Sequence, residues 1–431
     1  MRLQVFGQAF RTPDLRTKLF FTLGMIAIYR VGSFVPTPGV DYPAVQRCLD
    51  AVEGDSLYAL INLFSGGALL QLSIFALGIM PYITASIILQ LLTVVIPRLE
   101  ALKKEGQAGT AKITQYTRYL TVALAILQST GIIALAKSGQ LLQGCPEPII
   151  ADTSMMMTIS MIAIMTAGTS IIMWLGELIT DRGVGNGMSL MIFTSIIAGF
   201  PGQLSAIYSA RGAWTFLVVI AVGLAVVAFV VLMEQAQRRI PVQYAKRMVG
   251  RRQYGGSSTY IPIKVNQAGV IPVIFASSLL YLPVLFVTLS NNQGAINTWV
   301  QTHLVRGSGA WYALLFFGLT VFFTYFYVAI TFNSDDIADN MKKYGGFIPG
   351  IRAGRPTAEY LDYVLTRLTA VGSIYLAAIA VIPIVVFASF GQGQNFLFGG
   401  TSILIMVGVG LDTVKQIESQ LQQRSYEGFL R

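Results

Sequence analysis

Side chains that commonly perform enzyme chemistry are scarce in this sequence. There is one histidine, His303, so the chain cannot build an HExxH zinc site or a His-rich metal centre. A Gly-Lys dipeptide is absent, and with it the Walker type of phosphate-binding loop. The run GVGNG at 183–187 lacks the final spaced glycine and the preceding strand of a dinucleotide-binding turn. We therefore expect a protein that is not an enzyme, with no catalytic residue, no metal and no cofactor.

The two cysteines, Cys48 and Cys145, are too few for a Cys-rich metal site or a disulfide scaffold. Both fall in loops that we place outside the cytoplasm, where a single disulfide can form. Because these loops lie far apart in sequence, we favour two free thiols.

The composition is that of a membrane protein. Hydrophobic residues make up 54% of the chain and charged residues 12%, whereas soluble domains carry about a quarter charged residues. A span needs about 20 mostly apolar residues. Such runs predict ten spans, at 19–35, 73–96, 119–136, 154–175, 188–200, 213–233, 268–289, 310–332, 368–390 and 396–411. The polar, basic N-terminus shows no signal-peptide pattern, so we expect the first span to remain as an anchor.

Lys and Arg residues define the orientation of these spans. If the N-terminus is cytoplasmic, 25 of the 30 basic residues fall on the cytoplasmic side, four fall on the outer side, and Arg30 lies in the first span. Basic loops stay in the cytoplasm, so we predict that both termini are cytoplasmic.

Two cytoplasmic loops, 235–267 and 333–367, are long and mix basic residues with aromatics, Gly and Pro. Such loops are either topology determinants alone or docking surfaces, and their length and Arg content favour docking. The run LYALINLFSGGALL at 57–70 is apolar but too short to span, about 21 Å against a core of about 30 Å. It is either an interfacial helix or a re-entrant piece that fills a cavity.

Ionisable residues are absent from predicted spans two to ten. Coupled transporters usually carry intramembrane charges, and selective ion channels carry a filter or charged rings. A small-solute transporter and a YidC-like insertase, which has fewer spans and a polar groove, are therefore less favoured than a passive pore with an aliphatic interior. A purely structural subunit would not explain the two long basic loops together with the apolar run at 57–70. Ile79, Ile83 and Ile87 share one helix face, although such residues commonly serve packing.

Several long motifs resemble the SecY family, and its bacterial members in particular. They include FSGGALLQLSIFALGIMPYITASIILQLLTVV at 64–95, MWLGELITDRGVGNGMSL at 173–190, QRRIPVQYAKRMVGRRQY at 237–254, KVNQAGVIPVIFASS at 264–278 and FIPGIRAGRPTAEYLDYVLTRLT at 347–369. The resemblance implies an all-α membrane protein with ten transmembrane helices in two pseudo-symmetric five-helix halves around an hourglass pore. The halves would be 1–205 and 206–431, hinged near Gly199–Gln203 and the outer loop that follows.

The resemblance also implies residue roles. The pore ring would comprise Ile79, Ile83, Met188, Ile192, Ile274 and Ile405, with Ile87 adjacent; Met188 replaces a residue that is often Ile in the family. The run 57–70 would be a plug, with Leu57, Leu60, Ile61, Phe64, Ser65, Gly66 and Gly67. A lateral gate for apolar segments would lie between spans two and three and spans seven and eight, with Thr84, Gln90, Asn266 and Leu282. We predict a hydrogen bond between Gln90 and Asn266 that holds this gate shut.

The remaining implications concern partners and location. The family resemblance implies the subunits SecE and SecG, the motor ATPase SecA, the ribosome, signal sequences and unfolded polypeptides, and a place in the bacterial inner membrane. The basic loops would dock these partners through Lys246, Arg247, Arg251 and Arg252, which suit ribosomal RNA phosphates, and through Arg352, which matches a position used with SecA.

Overall fold

The computed structural model describes residues 10, 12–51, 66–69, 71–137, 139, 149–150, 152, 154–244, 247–249, 252–254, 258–290, 310–390 and 400–429. Its N-terminal helices are α1 Pro13–Phe34, α2 Tyr42–Ala51, α3 Met80–Val95, α4 Pro97–Lys104, α5 Gln107–Lys137, α6 Met155–Arg182 and α7 Gly187–Gln235. The strands β1 Gln237–Tyr244, β2 Arg247–Val249, β3 Arg252–Tyr254 and β4 Ser258–Lys264 follow. The chain continues with α8 Ile271–Ser290, α9 Ala310–Thr331, α10 Ser334–Lys343, β5 Gly346–Phe347, α11 Arg355–Phe390 and α12 Gly400–Phe429.

Helices lie at all ten predicted spans, as the apolar runs indicate. Within the described residues, five helices are long and apolar enough to cross a membrane by themselves, or six if the bent pair α3–α4 counts as one span. Two shorter apolar helices, Gly187–Gly202 and Ile271–Leu280, add to these. Large apolar side chains such as Trp214 (78% exposed) and Leu232 (70%) point outward, where a soluble protein would place polar groups.

The second predicted span is helical only in its second half. The prediction of a continuous helix from residue 73 is wrong, because residues 71–79 form turns and one isolated bridge, and α3 begins at Met80. Gly66, Gly67 and Gly78 have positive φ values of 66°, 95° and 56°, which interrupt helical geometry. The turns are held by α1, since the Ile74 N–H donates to the Val35 carbonyl at 2.9 Å.

The predicted boundary between the halves falls within a helix. Residues 199–203 and the boundary at 205/206 lie within helical α7, and the kink comes at Gly212, with φ 77° and ψ 174°. Pro201 lies only fourteen residues after the start of α7 and does not end it.

A small sheet joins the two long basic loops, 235–267 and 333–367, and a purely helical prediction does not include it. Strands β4, β1 and β5 form one antiparallel sheet, with Gln237 opposite Lys264 and Gln243 opposite Phe347. Ile240, Val242 and Ile263 turn inward onto a cluster that includes Leu361 of α11. Alternating burial along β1 explains why this basic segment forms a strand rather than a loop.

Cys48 is disulfide-bonded, so the expectation of free thiols is wrong. The one other cysteine in the sequence, Cys145, lies outside the described residues. Separation along the chain did not predict this disulfide, because segments that are distant in sequence meet in space. The Asp41 N–H donates to the Ile149 carbonyl at 2.9 Å, and Val40 pairs with Ile150.

Candidate functional site

Six of the seven predicted ring residues meet in one apolar cluster. Its buried members include Ile79, Ile192, Ile274 and Ile405, which expose 1–6% of their surface. Ile83 and Met188 pack against them and are partly buried. These residues come from α3, α7, α8 and α12, so elements from both ends of the chain converge on one point. The six residues therefore lie together in one continuous apolar cluster.

Ile87 does not join this group. It lies on α3 one turn beyond Ile83 and packs against a second cluster, built around Val273, Phe275 and Leu404. Because successive turns of one helix face different neighbours along its length, Ile87 reaches the packing of the C-terminal helices rather than the cluster of the other six.

The start of α7 is tightly specified, and this start places two ring residues. The side chain of Asn186 caps the helix by accepting from the backbone N–H groups of Met188 and Ser189, at 3.1 and 3.2 Å. Gly187 lies against α6, where a Cβ atom at this position would come within 1.9 Å of the Gly176 carbonyl oxygen. The Gly187 N–H donates to Thr180 Oγ1 at 2.9 Å. Met188 is therefore fixed against Gly176.

Helix α12 also begins close to a neighbouring helix. α12 starts at Gly400, where a Cβ atom would lie 1.7 Å from the Ile379 carbonyl oxygen of α11. Only glycine permits this approach, and it carries Ile405 one to two turns later into the cluster. In α8, the Ile274 N–H donates to the Val270 carbonyl just after Gly269, whose φ is 62°.

Most of the predicted plug, including Leu57, Leu60, Ile61, Phe64 and Ser65, lies outside the described residues. Gly66 and Gly67 are described and adopt left-handed conformations in a turn, as expected where a helix would end. The Gly66 carbonyl accepts a hydrogen bond from Arg30 Nη1 at 3.0 Å.

The predicted hydrogen bond across the lateral gate is not formed. Asn266 is buried, and its amide donates to Glu234 Oε1 and to the Gly269 carbonyl, both within the C-terminal half. Gln90 is exposed on α3, and Thr84 is buried but donates to the carbonyl of Met80 within its own helix. The side chain of Leu282 lies outside the described set. Helix α8 nevertheless contacts both α3 and α5, as the predicted gate requires.

The predicted docking residues divide between the sheet and a surface turn. Arg247 and Arg252 lie on the two-stranded β2–β3 sheet, opposite Tyr254 and Val249. Lys246 and Arg251 lie outside the described residues. Arg352 is exposed in the turn before α11, where its carbonyl accepts from Thr357 Oγ1 at 2.9 Å.

Three polar contacts near the site carry residues that sequence reasoning did not select. Glu234 is 7% exposed and accepts from Asn266. Arg118 of α5 donates two hydrogen bonds to Glu177 of α6, at 2.9 and 2.8 Å. The Tyr29 hydroxyl forms a hydrogen bond with the Ser195 hydroxyl, 166 residues away in the sequence. For the Glu234 and Arg118–Glu177 contacts, the sequence shows only a polar residue at the edge of an apolar run. That pattern does not identify the partner.

Known proteins give a consistent comparison. A sequence model of the SecY family matches residues 73–414. The protein translocase subunits SecY of Streptomyces coelicolor and Mycobacterium tuberculosis are 66% and 60% identical over 436 and 441 residues, with complete coverage of both chains.

Solved structures agree on the fold. A protein-conducting channel superposes with a TM-score of 0.62 at 18% identity, covering 93% of this chain and 91% of its own. A SecY channel studied for its plug domain gives 0.62 at 19% identity, with the same coverage. Sec61 in a canine ribosome–channel complex gives 0.60 at 18% identity, again covering 93% and 91%. The fold, the whole-length identity and the matched family model all agree, and the chain belongs to the SecY family of protein translocase subunits.

Proposed function

We propose that this translocation-channel subunit conducts unfolded polypeptides through the cluster formed by Ile79, Ile83, Met188, Ile192, Ile274 and Ile405, acting as the pore ring. One observation carries the proposal. Residues selected from four separate segments of the sequence lie in a single buried apolar cluster. A random choice of aliphatic residues from a membrane protein this size would distribute over its several clusters.

The chemistry of the ring suits a passive pore. Aliphatic walls offer no hydrogen bond or charge to a passing chain, so side chains of any type can slide through. A narrow apolar constriction also loses water easily, and this resists ion flow when no polypeptide is present. Met188 adds a flexible thioether that adapts its shape to the neighbours. The pore needs no catalysis of its own, and a partner supplies the driving energy.

The segment 57–70 then acts as the plug on the outer side of the ring. Apolar segments of a passing chain leave to lipid between α3 and α5 on one side and α8 and α9 on the other. Asn266 lies at this gate and is held by Glu234 rather than by Gln90. The N-terminal half would end and the C-terminal half begin at the kink of α7, at Gly212.

The cytoplasmic sheet and the turn around Arg352 form the docking surface for SecA and the ribosome, and SecE and SecG complete the channel in the bacterial inner membrane. Exposed arginines favour phosphate-rich or acidic partners. The structural likeness to Sec61 of a ribosome–channel complex supports the ribosome as one partner. The asymmetry of 25 basic residues against four supports cytoplasmic termini.

Single-channel conductance of the reconstituted translocase tests the ring and the plug together. We expect Ile192→Thr to raise ion leakage, because a hydroxyl wets the constriction. Ile171→Thr is the matched control, since Ile171 is 43% exposed on the outside of α6. Deletion of 57–70 should give large, weakly selective openings. If Ile192→Thr and the deletion of 57–70 both give silent membranes, or small solute-specific currents, the pore is refuted and a solute transporter is favoured.

A further inference from the structure

Two adjacent residues of α1 make polar contacts that no role described above uses. The hydroxyl of Tyr29 lies 2.6 Å from the Ser195 hydroxyl of α7, and each residue exposes 1% of its surface. Buried hydroxyl groups rarely lack partners, because an unpaired one costs desolvation energy. This pair therefore fixes α1 against α7 at one defined point.

The next residue, Arg30, reaches a different element. Its Nη1 donates to the Gly66 carbonyl at 3.0 Å, and its guanidinium lies 5.1 Å from the centre of the Phe34 ring. A Cβ atom at Gly66 would meet Arg30 Nη1 at 3.0 Å and the Ser195 Cα at 3.1 Å. Gly66 thus lies close to both Arg30 and Ser195, and its positive φ and the lack of space for a Cβ atom favour glycine there.

Both partners of α1 lead directly to the ring. Ser195 follows Ile192 by three residues, about one turn of α7. Gly66 begins the turns that lead to Ile79 at the start of α3. Tyr29 also stacks on Phe75 of these turns, with ring centroids 6.0 Å apart.

We propose that these two contacts, Tyr29–Ser195 and Arg30–Gly66, form an outer latch that keeps the ring closed. Helix α1 contributes no ring residue, yet it grips the two elements that carry Ile79 and Ile192. Separating these elements to admit a polypeptide breaks at least one of the two contacts. Tyr29 and Arg30 are therefore positioning residues for gating. The inference rests on the proposed ring.

Tyr29→Phe and Ser195→Ala test the latch with little change in shape. Each removes one side of the Tyr29–Ser195 hydrogen bond, and Ser195→Ala also removes the bond from Ser195 Oγ to the Met191 carbonyl of its own helix. Loss of the Tyr29–Ser195 bond should raise the opening frequency of the reconstituted full-length translocase about two- to tenfold. The double variant should open no more often than the single ones, because both remove the same bond. Arg30→Gln should add a separate increase. Unitary conductance should stay unchanged, which separates easier opening from a damaged pore.

Tyr119→Phe is the matched control, since Tyr119 is 65% exposed on α5. The variant Ile192→Thr distinguishes the latch from the ring. Parent-like opening in the latch variants together with leakage in Ile192→Thr would overturn the latch and leave the ring standing. Parent-like behaviour in all of them would overturn both. Additive effects of Tyr29→Phe and Ser195→Ala would also overturn the latch.

Discussion

Gly187→Ala is the substitution whose effect on the ring follows most directly from the geometry. The new methyl group would lie 1.9 Å from the Gly176 carbonyl oxygen and 2.8 Å from Ile179 Cβ. Ordinary contact begins near 3.4 Å, so the start of α7 must move away from α6 by about 1.5 Å. The obstacle is backbone, which cannot turn aside as a flexible side chain does. Met188 moves with its neighbour, and the ring loses one wall.

The energetic effect can be bounded. Overpacking of this kind typically costs about 1–3 kcal/mol. If the cost falls on the closed ring alone, the ratio of open to closed channels rises about five- to 150-fold. We expect more frequent openings in single-channel recordings, and export of reporter proteins with defective signal sequences.

Gly202→Ala is the control, because it lies on the same helix with no atom within 4 Å of the added methyl group. The amount of assembled protein should be measured for both variants. If the two variants assemble equally and open equally often, the argument that α7 places the ring through Gly187 is refuted.

Three further outcomes follow from contacts near the site. Arg352→Glu should abolish motor-driven export while insertion of membrane proteins continues, as measured with one reporter of each kind. Asn266→Leu should change signal-sequence stringency and cost about 1–3 kcal/mol, because a buried carboxylate loses its donor. Gln90→Leu should have no effect on stringency, and the double variant should match Asn266→Leu alone. Arg118→Met should lower stability to thermal unfolding by about 1 kcal/mol, a value reduced because the Arg118 side chain is 43% exposed beside Glu177.

Matched changes separate these effects from general damage. Lys343→Glu reverses a charge on α10 in the same cytoplasmic loop and should leave motor-driven export intact. Lys104→Gln removes a fully exposed pair with Glu100 and should not change thermal stability measurably. Impaired export in Lys343→Glu would show that net charge, rather than Arg352, controls docking. If Gln90→Leu alone changes signal-sequence stringency, the result would support the predicted hydrogen bond between Gln90 and Asn266 after all.

Hydrophobicity located the spans, because lipid imposes long apolar runs whatever the tertiary contacts are. Backbone interruptions were harder to predict. Gly78 lies in the apolar run from residue 73 that was predicted to be one helix, and only its positive φ value reveals the turn. Gly212 marks the kink of α7, whereas Pro201 lies within the helix without ending it.

The ring residues also depend on long-range contacts that a local sequence pattern does not contain. Its residues were found through family resemblance, since periodicity alone does not distinguish an Ile that lines a pore from one that packs. Partners of buried polar groups were not predictable at all. Asn266 was expected to face Gln90, but Glu234, 32 residues away in sequence, takes its amide. Such pairings depend on how two helix ends meet in three dimensions.

The junction between α7 and the cytoplasmic sheet has a mechanical consequence. Ala236 alone separates α7 from β1; its N–H donates to the Leu232 carbonyl, and its carbonyl accepts from Val265 at 3.0 Å. The helix and the strand are therefore rigidly coupled, with few freely rotating bonds between them. The rigid unit extends back to Gly212, where the helix is kinked. We therefore expect a load applied to the sheet to move the part of α7 after Gly212 more than the part that carries Met188 and Ile192.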